Sequence, residues 1–268
     1  MTTLRPTRWL GLATTAALIL FLVIPTLLVV VLSFGKDDLI HFPPSLFSTH
    51  WYRDLLDSPE WLDAGRRSVI VGLGTAVLAV AIGTAAAMAL VRGRLPLRRT
   101  IELLSLTPMV VPPIVLAVGG YDFFLQLQLV GSLGGLVLLH TVLAVPFVVL
   151  VVSSALYRSD PALELASMSL GAGPARTLRS VTLPLLTPAM LVGALFAFLT
   201  SFDEVVIAVF VLSGSPPTLP IQIFSSLTTG ISPLVAAVAT VQVLLALLML
   251  FLLAAFRRLD ETRQQTVK

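Results

Sequence analysis

The chain carries six apolar stretches, each about 18 or more residues long, and these constrain its fold more than any other feature. Crossing about 30 Å of hydrocarbon takes about 20 helical residues, so each stretch is long enough to span a bilayer. The first lies between Arg8 and Lys36 and the second between Arg67 and Arg92. The third lies between Glu102 and Asp122, with Pro108, Pro112 and Pro113 inside it. The fourth covers about Leu133 to Leu156 around Pro146. The fifth runs from Thr182 through Phe202 and past Asp203 and Glu204 to about Leu212, and the sixth from about Leu234 to Phe256. Proline kinks a membrane helix without forbidding it. A β-barrel is excluded, because its strands would read as alternating segments of about 10 residues. The expected fold class is therefore all-α, a polytopic membrane protein with six transmembrane helices.

Composition agrees. Hydrophobic residues make up 57% of the 268 and charged ones only 12%, against about 25% charged in soluble domains. Lipid is the main solvent. The net charge of +3 has no dense basic patch with interleaved aromatics behind it, so no nucleic-acid partner is expected. Topology explains it instead. Arg5 and Arg8, Arg92 to Arg99, Arg158 to Arg179, and Arg257 to Lys268 place 13 of the 17 basic residues on one side of the six spans. Basic loops stay in the cytoplasm, so both termini are expected there. The other side holds Lys36, Arg53, Arg66 and Arg67 in one acidic loop, whose Trp51, Tyr52 and Trp61 suit the membrane interface. The first apolar run is longer than the core of a signal peptide and no A-x-A site precedes Lys36, so it is expected to remain as an anchor.

Catalytic chemistry finds little footing. There is no G-x-x-x-x-G-K-[ST] loop, so this chain is not expected to bind and hydrolyse ATP itself in the usual way. The absence of cysteine excludes disulfides and thiolate ligands, and His41, His50 and His140 lack ligand spacing. No metal or cofactor site is expected. His140, inside the fourth span, reads either as a lining residue or, preferably, as a histidine bonded to a backbone carbonyl between helices. Ser105 and Ser201 have no paired base. Asp203 and Glu204 are the one carboxylate pair well within a span. Each costs about 2.5–3.5 kcal/mol to insert, so such charges face protein or a water-filled cavity. A cation pathway would suit them. Consecutive helical residues point about 100° apart, so at most one can aim down a pore, with Asp203 favoured. Helix packing, gating or an unwound helix end are the alternatives.

The fourth connection is the most specific segment. Asp160 suits an N-cap, Pro161 the first helical position and Glu164 the first turns, while Gly171 is placed to stop the helix. Leu163, Met168 and Leu170 give this short helix an apolar side, which calls for a protein partner or for lying on the membrane. The segment resembles the cytoplasmic loop of the permease subunits of binding-protein-dependent ABC importers. That loop reads Glu-Ala-Ala, three residues, Gly, nine residues and Ile-x-Leu-Pro. Here Gly171 is followed by nine residues and then Val181-Thr182-Leu183-Pro184. The first half departs, with Leu165-Ala166-Ser167 at the Glu-Ala-Ala positions and the acidic residue one place early at Glu164. Thr107 to Pro113 is similar to the proline-rich third helix of these permeases. Ser201-Phe202-Asp203-Glu204, Thr218-Leu219-Pro220 and Gly230-Ile231-Ser232-Pro233 resemble the spermidine/putrescine branch.

The resemblance implies a type I importer permease fold in the inner membrane. Residues 1–67 would be an anchor helix and outer loop, residues 68–256 the transport domain with a coupling helix at about 161–171, and residues 257–268 a cytoplasmic tail. Glu164, Ala166, Leu170, Gly171 and Pro184 would couple to the ATPase, and Asp203 and Glu204 would line the substrate pathway. The implied partners are a second permease, two ATP-binding subunits that hold ATP and Mg, an external solute-binding protein and membrane lipid. Polyamines are the expected cargo, with opines, phosphonates or ferric iron as alternatives from the same branch. From another class, a proton-coupled secondary transporter would use Asp203 or Glu204 as its proton site. A membrane-bound hydrolase has almost no support.

Overall fold

The computed structural model describes residues 6–37, 42–93, 95–230 and 232–266. Arg5, His41, Arg94, Ile231 and Lys268, used in the reasoning above, lie outside them. The described residues form helices in the order α1 Pro6–Leu32, α2 His50–Asp57, α3 Pro59–Arg92, α4 Arg98–Leu106, α5 Pro113–Gln126 and α6 Leu133–Arg158. There follow α7 Ala162–Ser169, α8 Pro174–Thr177, α9 Leu183–Phe202, α10 Val206–Val211, α11 Leu219–Thr229 and α12 Pro233–Thr266. Among the described residues five helices are long and apolar enough to cross a membrane, namely Gly11–Leu32, Pro59–Arg92, Leu133–Arg158, Pro174–Phe202 and Pro233–Phe256.

The sixth candidate is a bent pair of helices, which by length and composition is one broken span or a re-entrant loop. The expectation of one kinked third helix is corrected here. Arg98–Met109 and Pro113–Gln126 meet at 97°. Pro112 and Pro113 have no N–H to continue the ladder, and Pro112 is extended at ψ 136°, so the helix stops and restarts in a new direction. The fifth span also differs. It begins earlier, at Pro174, and ends at Phe202 instead of running on to Leu212. Near its start lies a wide turn over Leu178–Thr182, where the Leu183 N–H reaches back five residues to the Leu178 carbonyl. In a regular helix the ring of Pro184 would strike the Ser180 carbonyl, and the wide turn relieves that clash.

The chain divides into two units, Met1–Leu62 with Ile223–Leu245 and Asp63–Gln222 with Ala246–Lys268. In the first, α1 presents Leu18, Phe21 and Leu22 to its surroundings as a lipid-facing helix does. Its end is pinned to α2. Trp51 Nε1 donates to the Gly35 carbonyl at 2.8 Å, and the Ser33 and Tyr52 hydroxyls share a 2.6 Å bond. An antiparallel bridge pairs Gly35 with Phe47. Trp51 and Tyr52 therefore fold back on the end of α1.

In the second unit α6 packs along α9. Val148 of α6 is the knob of this packing: a Cβ at Gly83 of α3 would stand 2.6 Å from its Cβ, and one at Gly193 of α9 3.3 Å from its methyls. Small residues let membrane helices approach this closely. Gly83→Val is accordingly expected to destabilise the subunit by about 1–3 kcal/mol or more, read as a lower melting midpoint in detergent and less subunit in the membrane. Val71, Leu136, Leu139, Leu143, Ile207 and Val211 form a further buried cluster that draws α3, α6 and α10 together.

The ends of these helices are tied by polar contacts. Leu219 N–H donates to Ser68 Oγ at 2.8 Å, and Arg67 reaches the Pro217 carbonyl at 3.4 Å. Gly131 N–H donates to the Val211 carbonyl at 2.6 Å. These bonds hold α10 and the loop after it against the starts of α3 and α6.

Candidate functional site

Two places carry chemistry. The first begins where α9 ends. The Asp203 N–H makes the last helical bond, to Leu199 at 3.1 Å. The next residue then stops the helix from continuing: Glu204 Oε1 accepts from Ile207 N–H at 3.0 Å and Oε2 from Ala208 N–H at 3.1 Å. A carboxylate that satisfies two otherwise unpaired N–H groups, at the positive end of a helix, fixes the start of α10. The break in the fifth span follows from that cap.

The Glu204 side chain is only 8% exposed, and its Oε2 faces His140 Nε2 at 3.3 Å. The other ring nitrogen of His140 bonds Ser201 Oγ at 2.8 Å. His140 is thus buried between two side chains. The expected bond to a backbone carbonyl is replaced by this bridge from α6 to the end of α9. Asp203 has a different fate. Its side chain is exposed at a cleft of about 440 Å³ lined by Pro108, Met109, Leu143, Phe147, Thr200 and Glu204. Pro108 and Met109 stand just before the break in the third span, so the 97° bend that interrupts that helix also shapes one wall of the cleft. Of the two carboxylates, then, one caps a helix and the other opens onto a largely apolar cleft.

The second place is α7. The helix starts one residue later than expected, at Ala162 with Pro161 in the N-cap place, and Asp160 Oδ1 accepts from the Ala162 N–H at 2.8 Å just ahead of it. At the other end Gly171 adopts φ +88°, its N–H reaches the Met168 carbonyl at 3.0 Å and the Ala172 N–H reaches Ser167 at 3.2 Å. Those two bonds with a left-handed residue between them are the Schellman motif, which glycine adopts without penalty. Leu163, Leu165, Met168 and Leu170 are exposed, Leu170 at 89%, and Ala166 is exposed with them. Glu164 is not free, because Arg92 Nε lies 3.4 Å from its Oε1. Pro184 stands apart from this group, within the helical run Pro174–Phe202. Ser167 Oγ and Thr177 Oγ1, 3.1 Å apart, join α7 to that run. Sequence reasoning missed both His140–Glu204 and Arg92–Glu164. Each joins helices far apart in the chain, and no local spacing announces which helices face each other.

Residues 79–262 match the family described as binding-protein-dependent transport system inner membrane component. The chain belongs to this family. It is 33% identical over 232 residues to the spermidine/putrescine transport system permease protein PotC of Haemophilus influenzae, covering 87% of this chain and 90% of that one. It is 32% identical over 251 residues to PotC of Escherichia coli K12, covering 93% and 94%. The putrescine transport system permease protein PotI of the same strain is 33% identical over 227 residues, covering 82% and 80%. Among solved structures, a chain of a bacterial ABC transporter involved in import of the acidic polysaccharide alginate superposes with a TM-score of 0.72 at 15% identity, covering 96% of this chain and 99% of that one. A chain of the inward-facing MetNI methionine ABC transporter superposes at 0.63 with 22% identity, covering 77% and 96%. These two show a shared fold. The protein is a multi-pass inner-membrane permease subunit of an ABC importer, with the importer-permease fold expected above.

Proposed function

We propose that this permease carries polyamines such as spermidine and putrescine. The observation that carries this reading is Asp203, a carboxylate open to an apolar cleft beside a glutamate already engaged as a helix cap. A polyamine is a chain of methylenes between ammonium groups, so it needs an anionic contact and apolar wall together. The identity of about one third with PotC and PotI supports the same cargo.

In the proposed assembly the chain pairs with a second permease, and two ATP-binding subunits, holding ATP and Mg, grip the α7 helices. Both termini and α7 face the cytoplasm, and a solute-binding protein docks on the opposite face. ATP binding draws the two coupling helices together and favours the outward-open state, and hydrolysis releases it. The solute then moves inward by a population shift that nucleotide contacts in another polypeptide drive. This chain contributes pathway and joint, without catalysis of its own. A proton-coupled secondary transporter would instead take up solute with no ATP-binding subunit present.

The test starts with the binding protein that stimulates ATP hydrolysis by the assembled complex. At a ligand concentration of 100 times Kd, binding stabilises a protein by about 2.7 kcal/mol. Spermidine or putrescine should therefore raise its melting temperature by several degrees, and opines, phosphonates and ferric iron should not. Stabilisation by one of the latter alone refutes the polyamine reading and names the cargo class.

A further inference from the structure

Arg92 is the last residue of α3, and it meets two other elements at once. Its Nη2 donates to Ser159 Oγ at 2.8 Å and to the Ser159 carbonyl at 3.2 Å, where α6 has just ended, and its Nε donates to Glu164 Oε1 at 3.4 Å in the first turn of α7. The Arg92 and Glu164 side chains are 24% and 22% exposed. An isolated surface ion pair contributes little. This one is partly shielded and anchored at three acceptor atoms. The guanidinium also lies at the carbonyl end of α6 and the carboxylate at the N–H end of α7, where the helix dipoles favour each charge.

We propose that Glu164 acts inside the permease and not across the joint with the ATP-binding subunit: with Arg92 and Ser159 it clamps α7 to the end of α3, so that the two move as one body. The proposal rests on the reading of α7 as the coupling helix. Two consequences follow from the geometry. With its carboxylate turned to Arg92, α7 offers a partner the exposed apolar side chains of Leu163, Leu165, Met168 and Leu170, so the joint is apolar. The clamp also gives a push on α7 a rigid outlet. From Arg92 back to Gly72, α3 runs about 30 Å. At Gly72 a Cβ would stand 2.8 Å from the Phe198 ring, which therefore rests on bare backbone. Phe198 stacks on Phe202 at 5.2 Å, and Asp203 follows directly. Displacement of the end of α3 is thereby delivered to the residues that carry the cleft acid. Arg92 is a positioning residue for transport.

The chain has no cysteine, so a single Leu170→Cys reports docking by crosslinking to the ATP-binding subunit. In the complete complex with its solute-loaded binding protein, the second readout is the ratio of ATP hydrolysis with and without that protein. Glu164→Gln, Glu164→Arg and Arg92→Glu should each keep the Leu170→Cys crosslink yet lower the stimulation ratio about fivefold or more. The exchange Arg92→Glu with Glu164→Arg should bring most of it back. Rescue by the exchange also shows that the single variants fold. The clamp is overturned if the single variants keep full stimulation, if the exchange restores nothing, or if Glu164→Arg alone abolishes the crosslink. Absence of a crosslink from Leu170→Cys with Arg92 and Glu164 intact refutes the docking reading itself, and the clamp falls with it.

Discussion

Asp203→Asn should lower polyamine uptake by about 10- to 100-fold, the equivalent of one hydrogen bond to a charged group at about 1.5–3 kcal/mol, with the amount of assembled subunit unchanged. The expectation comes from the different duties of two adjacent carboxylates. Asp203 is exposed at the cleft and accepts no backbone bond from α10, so losing its charge leaves the backbone intact. Glu204 is the contrast. Glu204→Ala leaves the Ile207 and Ala208 N–H groups without their cap and His140 without its acidic neighbour. Loss of a cap costs about 0.5–2 kcal/mol, so this variant should show a lower melting midpoint and less assembled complex. Radiolabelled spermidine uptake, normalised to the quantity of complex in the membrane, separates the two. Normal spermidine uptake by Asp203→Asn would mean that this carboxylate does not bind the cation on its way through. An equal loss of assembled protein in both variants would assign both acids to structure.

The membrane architecture was legible because the apolar stretches are long, and their length alone answers to the thickness of a bilayer. The helix ends were less so. Val110 to Val115 is apolar apart from Pro112 and Pro113, and the apolar run resumes at Val205 directly after Asp203 and Glu204, so length alone reads each as one span, yet both places break. In the first the missing N–H groups of two prolines end the ladder, which sequence marks by position without stating the angle. In the second a carboxylate takes the place of helical carbonyls, and its cap is recognisable only once α10 is known to start at Val206. The α7 caps were the opposite case. Asp160 and Gly171 act within a few residues of themselves, so local chemistry was enough. His140 with Glu204 and Arg92 with Glu164 depend on which helices are neighbours, and this is decided by glycine contacts such as Gly83 and Gly193 on Val148, spread over more than 100 residues of chain.

Gly171→Leu should uncouple ATP hydrolysis from transport while the subunit still inserts, because the change lies outside the helix core. The residue holds φ +88° and nothing stands within 4 Å of where its Cβ would be. The cost inside the subunit is therefore backbone strain of about 1–2 kcal/mol, enough to open the bonds from Gly171 to Met168 and from Ala172 to Ser167 that end α7. Gly171→Asn separates this from a clash with the partner, since asparagine tolerates the left-handed region. If strain is the cause, Gly171→Asn transports close to normally and Gly171→Leu does not. If the joint has no room for any side chain, both fail. Leu170→Asp provides the matching test of the joint's chemistry. Leu170 is 89% exposed, so an aspartate there is harmless to the isolated subunit. Desolvating its charge in an apolar joint would cost several kcal/mol, so the ATP-binding subunit should no longer co-purify. Full transport by both Gly171→Leu and Leu170→Asp would mean that the motor is gripped elsewhere.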